Sequence, residues 1–471
     1  MSRSITRAIT RAITRAIIKA IITYAGKTSG RSVAFFLVAV LFAPASLGQQ
    51  KRITNNDLLE RSVFALTKVM MHDVVNPPAA SRFYAYSLLG AYQILATSDK
   101  SVKPASLFIR DLNPIAEANI KTNSPELTAI FCILETGKQM LPSGYMIEKD
   151  QQDIFQILKN QKIPLSVLDE SQAVAKIMAR HIMAYAAKDQ YNKLSARLRY
   201  TPRKGDGFWY PTPPGYLEAV EPNWKIIRPM MIDSCDQFIP PLPVAFSKDT
   251  GAAFHRLATE VYSVSTKLTQ EQLHMAGFWD CNPFAIETAG HLSLGFKKIS
   301  PGGHWINIAG IASKKASLTV TQTVVLQTMV GISLMDAFIS CWDEKYRSNR
   351  IRPETYIQQH INIKWQPLLQ TPPFPEYPSG HSVISSAAAE VLSYFLGDAF
   401  SYTDDSELMF DIAARNFTSF RQAANEAAIS RLYGGIHFRD AIENGQIEGT
   451  RVGVHIVSKI RKAGVQPFVM K

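Results

Sequence analysis

Cysteine is scarce in this 471-residue chain, which has only Cys132, Cys235, Cys281 and Cys341. None stands in a Cys-x-x-Cys pair, which argues against a zinc site; haem is not expected either. Export would permit disulfides, but buried free thiols are the simpler reading. Acidic residues are missing from positions 1–48, which carry Arg3, Arg7, Arg11, Arg15, Lys19, Lys27 and Arg31. These seven cations make up more than half of the net charge of +12. A surface that reads nucleic-acid phosphates keeps its basic patch on the folded part, so this distribution argues against a nucleic-acid partner. Long apolar runs are few. The longest, Leu318 to Trp342, is interrupted by Thr319, Thr321, Gln322, Thr323, Gln327, Thr328 and Asp336. That pattern suits a buried core helix, and no stable membrane span is expected.

The first 48 residues have the layout of a secretory signal peptide or basic presequence. Ile-Thr-Arg-Ala units at 5–8, 9–12 and 13–16 precede a short apolar run from Val33 to Phe42 and the small residues Ala43-Pro44-Ala45-Ser46. An exported protein, periplasmic or extracellular, is expected. From residue 50 onward the chain reads as one all-α domain, a helical bundle with long Pro-rich loops, whose chemistry-bearing core spans 318–460. Asn55-Asn56-Asp57 offers caps before apolar residues at helical spacing, and Phe83–Ala96, Leu127–Met140 and Ser171–Ala187 look similar. Thr201 to Pro243 carries nine prolines among Trp209, Tyr210, Tyr216 and Trp224. It reads as an ordered loop capping the core.

Three segments stand out: Lys345-x6-Arg352-Pro353, Pro378-Ser379-Gly380-His381, and Ser430-Arg431-x5-His437. Cations in apolar surroundings are costly unless an anion neutralises them. Arginine donates bidentately to oxyanions, and lysine acts as a compact charge. Gly380 lets backbone approach a ligand, and a helix starting near Ser382 would aim free N–H groups at an anion. His381 and His437 titrate near neutral pH and suit proton transfer, attack or coordination. His72, His304 and His360 are read as structural.

In this order and spacing the three segments resemble the signature of the vanadium-dependent haloperoxidase and type-2 acid phosphatase superfamily. Trp279-Asp280-Cys281-Asn282-Pro283 and Pro301-Gly302-Gly303-His304-Trp305 look similar to its bacterial secreted members, less specifically. The resemblance implies a helical bundle holding vanadate, or phosphate in the same pocket. Lys345, Arg352, Ser379, Gly380 and Arg431 match positions that bind the oxygens. His437 matches the axial ligand of vanadium, His381 the acid–base, and Lys345 the cation that polarises peroxide. Hydrogen peroxide and halide are then the small-molecule partners, with a small organic acceptor and an oligomer both permitted.

One position departs from the pattern. The family's carboxylate usually follows the second histidine by four residues, where this chain has Ala441. The carboxylate that orients the imidazole is then expected from Asp440 in a shifted turn, from Glu443, or from elsewhere in the chain. The alternative activity is an acid phosphatase, with His437 attacking phosphorus and His381 protonating the leaving oxygen. Trp342 and Phe374 match aromatic positions on the halide side of chloroperoxidases and favour the oxidase, although plain core packing would also explain them.

Overall fold

Leu58, Leu59, Val63 and Leu66 recur at helical spacing and are all buried in the first helix, α1 (Asn55–His72). Its cap is Thr54, one residue before the expected Asn-Asn-Asp group, and Asp57 closes a reciprocal capping box with it. The computed structural model describes residues 53–116, 119–284, 286–289, 292–295 and 297–468, and only the backbone of the two segments between 286 and 295. The presequence read at 1–48 lies outside the described residues.

Thr54–Lys471 forms one compact unit. Helices α2 (Pro77–Ser98), α3 (Pro125–Met140), α4 (Ile147–Asn160) and α5 (Leu165–Ala186) complete a first bundle with α1. The second half contributes α6 (Ala253–Ser265), α7 (Gln270–Phe278), α8 (Pro301–Lys315), α9 (Val320–Ser348), α10 (Pro353–His360), α11 (Gly380–Leu396), α12 (Phe420–Tyr433) and α13 (Arg439–Lys462). The protein is all-α. Strands among the described residues are two short antiparallel ribbons, β1 (Ile286–Ala289) with β2 (Leu292–Gly295) and β3 (Tyr402–Asp404) with β4 (Arg415–Phe417).

Helix α9 joins the halves, packing on α2 with one face and on α11 with another. It is long and apolar enough to cross a membrane, yet it is buried inside the protein. Its polar interruptions have tertiary partners. Asp336 accepts the N–H groups of Met230, Met231 and Ile232 at 2.8, 2.7 and 2.9 Å. That carboxyl thereby fastens the Pro-rich 201–243 segment across the helix. The segment is irregular but ordered, burying Trp209 and Trp224 and leaving Tyr216 exposed. It reaches the end of α9, where the Trp342 indole and the Tyr346 hydroxyl both donate to Val220 O.

Helices α11 and α13 approach closely because one face of α13 carries Gly445, Gly449 and Gly453. A Cβ on Gly449 would lie 2.0 Å from Val383 O, which leaves no space for any side chain. This contact fixes the start of α11 against the start of α13. The four cysteines are free thiols, three of them buried.

Candidate functional site

Each of the three segments sits at a helix end, and the ends meet. Lys345 lies in the last turn of α9, which stops at Asn349 in the left-handed conformation. Arg352 caps α10, whose first residue is Pro353. Ser379 caps α11, placing Gly380 and His381 in its first turn with their N–H groups free. Arg431 ends α12, and a turn through Gly435 (φ 75°) returns the chain to His437 before α13. A Cβ at Gly435 would press on Pro367 and Trp365 in an unfavourable conformation.

Lys345, Arg352, Ser379, Arg431 and His437 are buried, and Gly380 and His381 are partly open. Gly380, His381, Arg431 and His437 line one cavity of about 40 Å³, together with Trp342, Phe374, Phe338 and the Asp280–Phe284 loop. Lys345 and Arg352 lie beside its aromatic residues. The Lys345 ammonium is 5.1 Å from the Phe374 ring and 5.7 Å from Trp342, and the Arg352 guanidinium is 5.1 Å from Phe374. Trp342 and Phe374 themselves pack 5.0 Å apart.

None of the three cations has a carboxylate in ion-pair contact among the described residues. Lys345 donates to the carbonyls of Pro375, Glu376 and Pro378. Arg352 donates to Phe374 O and Ile436 O at 3.0 and 2.9 Å, and its Nη2 is buried without a partner. Arg431 donates to Trp279 O at 2.8 Å. Burial lowers the pKa of Lys345 to about 8, with Arg352 adding to the effect, and lowers Arg352 to about 10. Arg431 is also lowered by burial. The nearby Glu448 gives little relief, because burial pushes it up to about 8 and keeps it protonated at neutral pH. The pocket therefore gathers three cations with no carboxylate in direct contact, Glu376 and Asp280 offsetting them only from a distance.

Both imidazoles are held well below their ordinary pKa by burial and by these cations. The His437 tautomer is fixed by its neighbours. Its Nδ1 lies 2.9 Å from Glu376 Oε1, a carboxylate that can only accept. Its Nε2 lies 3.2 Å from Arg352 Nη1, which can only donate. Nε2 thus carries a lone pair. On His381, Nε2 is buried and unpartnered.

Asp440 does not orient His437, contrary to the sequence expectation. It takes a bidentate pair of bonds from Arg350 at 2.6 and 2.7 Å. Glu443 lies instead 3.8 Å from Arg439. The carboxylate on His437 is Glu376, which also accepts Phe438 N–H at 2.9 Å and the Arg350 Nε–H at 2.7 Å. Arg350 bridges Glu376 to Asp440. Sequence reasoning missed both Glu376 and Arg350. The available signal was a lone acid in the Pro-rich stretch three residues before Ser379.

This donor set suits a tetrahedral oxyanion: three buried cations, the free N–H groups of a helix start, and orphaned polar atoms on Arg352 and His381. Residues 325–464 match the family model described as the VCPO second helical-bundle domain. The fold is similar to that of a bacterial vanadium-dependent iodoperoxidase at 41% identity and a TM-score of 0.80, over 86% of this chain and 96% of that one. The chain belongs to the vanadium-dependent haloperoxidase superfamily. A bacterial vanadium-dependent chloroperoxidase, in its holo and apo forms, shares the fold with a TM-score of 0.63 at 14% identity. These matches cover 83% of this chain and 94% and 95% of the chloroperoxidase chains. A search of curated proteins gives no match. Haloperoxidase relatives thus stand on both the sequence-family and the fold comparison.

Proposed function

We propose that this chain is a vanadate-dependent haloperoxidase that oxidises halide, iodide foremost, with hydrogen peroxide to hypohalous acid. The carrying observation is the meeting of Lys345, Arg352 and Arg431 without carboxylate partners beside the lone pair of His437 Nε2. The likeness to an iodoperoxidase at 41% identity supports the choice of iodide.

Bound vanadate supplies a Lewis-acidic centre that activates peroxide. Arg352, Arg431, Lys345, Ser379 and Gly380 would hold its oxygens, and the lone pair of His437 Nε2 would bind the group directly. The Arg352 guanidinium that now covers Nε2 would turn its donors to the guest. Glu376 keeps the proton on His437 Nδ1, so the nitrogen facing the cavity stays available. His381 Nε2, buried and unpartnered at the cavity, would serve as the acid–base that holds and returns a proton there. An anion in the pocket would offset the cations that depress His381 and bring it toward its working range. Lys345, which donates to the carbonyls of Pro375, Glu376 and Pro378, would add a buried point charge beside the same oxygens. Trp342 and Phe374 exclude water on the halide side.

Export is part of the same reading, supported by the presequence layout of residues 1–48.

Iodide and bromide oxidation with peroxide, assayed with and without orthovanadate, tests the proposal. Vanadate-dependent iodide oxidation is expected. Phosphomonoester hydrolysis by the same sample, without halide oxidation, would overturn it.

A further inference from the structure

Beside the cavity, sharing Cys281 with its lining, is a second cluster that the haloperoxidase reading does not use. Cys281 Sγ lies 3.3 Å from His304 Nδ1, and Glu407 Oε1 lies 3.5 Å from the same nitrogen. All three residues are at most 2% exposed, and their donor atoms lie within 4.8 Å of one another. They come from three elements: the loop after α7, the first turn of α8, and the turn that follows β3. The missing Cys-x-x-Cys spacing argues against zinc on sequence grounds, but folding gathers the donors in another way.

Three observations point to a cation here. Glu407 Oε1 is buried, has no hydrogen-bond partner, and is aimed at the other two donors. The far side of the His304 ring is tied down: Nε2 lies 2.8 Å from Asp404 Oδ2, while Asp404 Oδ1 accepts from Ser406 N and Oγ at 3.1 and 2.6 Å. A carboxylate on Nε2 turns Nδ1 toward Cys281 Sγ and Glu407 Oε1, the orientation that metal-bound imidazoles use. The spacing also fits. Zinc bonds of about 2.3 Å to sulfur and about 2.0–2.2 Å to nitrogen and oxygen place tetrahedral donors roughly 3.4–3.6 Å apart.

We propose that Cys281 Sγ, His304 Nδ1 and Glu407 Oε1 form a binding site for a divalent cation of borderline softness, zinc by its donor chemistry, with Asp404 orienting the imidazole. Two anionic donors balance the ion's charge, which suits a site this deeply buried. The site braces the oxyanion pocket. Trp279, which stacks on the His304 ring at 4.7 Å, presents its carbonyl to Arg431. Cys281 itself lines the cavity. Holding the 279–281 loop therefore holds Arg431 in register.

Metal analysis of the full chain tests this without reference to turnover. Vanadate-free protein, stripped with chelator, incubated with zinc and dialysed, should retain stoichiometric zinc. Cys281→Ser should lose it, whereas Cys341→Ser, at a buried cysteine outside the cluster, should keep it. Glu407→Gln preserves shape and should weaken zinc binding at least tenfold, and Asp404→Asn should weaken it roughly 10–100-fold. Cobalt in place of zinc should give a thiolate-to-metal charge-transfer band in the unmutated protein, a readout that stands even where a variant fails to fold. Absence of retained zinc, undiminished zinc in Cys281→Ser, or cobalt binding without the thiolate band would overturn the site.

Discussion

Glu376 Oε1 accepts the Nδ1–H of His437 at 2.9 Å, so a carboxylate upstream of the Pro-Ser-Gly-His segment holds the imidazole that faces the cavity. The same residue takes Arg350, and Arg350 in turn takes Asp440. The acid that follows His437 in sequence acts two steps away from the ring.

Glu376→Gln should therefore weaken vanadate binding by roughly 10–100-fold, the usual effect of losing a carboxylate behind a ligating imidazole. Asp440→Asn should have a smaller effect. Equilibrium dialysis of both variants against vanadate checks the order, and the reverse order would place the orienting charge on Asp440.

His437→Ala should abolish stoichiometric vanadate binding, since it removes the nitrogen proposed to bind the group. His381→Ala should spare binding and cut turnover by roughly 10²–10⁴-fold, the range of a lost acid–base group. Dialysis combined with steady-state iodide oxidation separates the two roles.

Vanadate affinity should fall as pH rises through about 8, where Lys345 loses its proton in the anion-free pocket. Lys345→Gln should flatten that limb, and the difference between the two profiles isolates this group from the titration of vanadate itself. The linked effect on stability has the opposite sign. Between about 8 and the ordinary 10.5 the unfolded chain holds a proton that the folded one has released, so this lysine adds stability to the anion-free protein as pH rises. Thermal unfolding across that range, with and without the substitution, measures it.

Gly449→Ala should destabilise the fold by about 1–3 kcal/mol, because its Cβ would meet Val383 O in a contact that cannot relax locally. Denaturant titration gives the value. Since α11 carries Ser379, Gly380 and His381 at its start, vanadate affinity should fall in the same variant.

That Lys345, Arg352, Arg431 and the two histidines gather at one place was legible because they fall into three short segments whose residue types have few other uses together. Lys345, Arg352, Arg431 and the two histidines are costly to bury in company, and that cost is visible before any coordinates. The core helix after Leu318 was legible for a related reason: its polar residues are too many for lipid and need protein partners, which Asp336 finds in the backbone of 230–232. Glu376 was not legible. An acid beside Pro378 has many roles open to it, and its pairing with a ring 61 positions away depends on how α11 and α13 meet.

Local chemistry along the chain thus determined which side chains would need an anion, and the periodicity of apolar residues determined that helices would carry them. Only the tertiary structure decided which carboxylate turns His437, which aromatic rings flank Lys345, and that Cys281, His304 and Glu407 share one buried space. Helix propensity and side-chain chemistry act over a few residues, whereas these juxtapositions follow from packing between helices distant in the chain, and packing is written in the whole set of contacts at once.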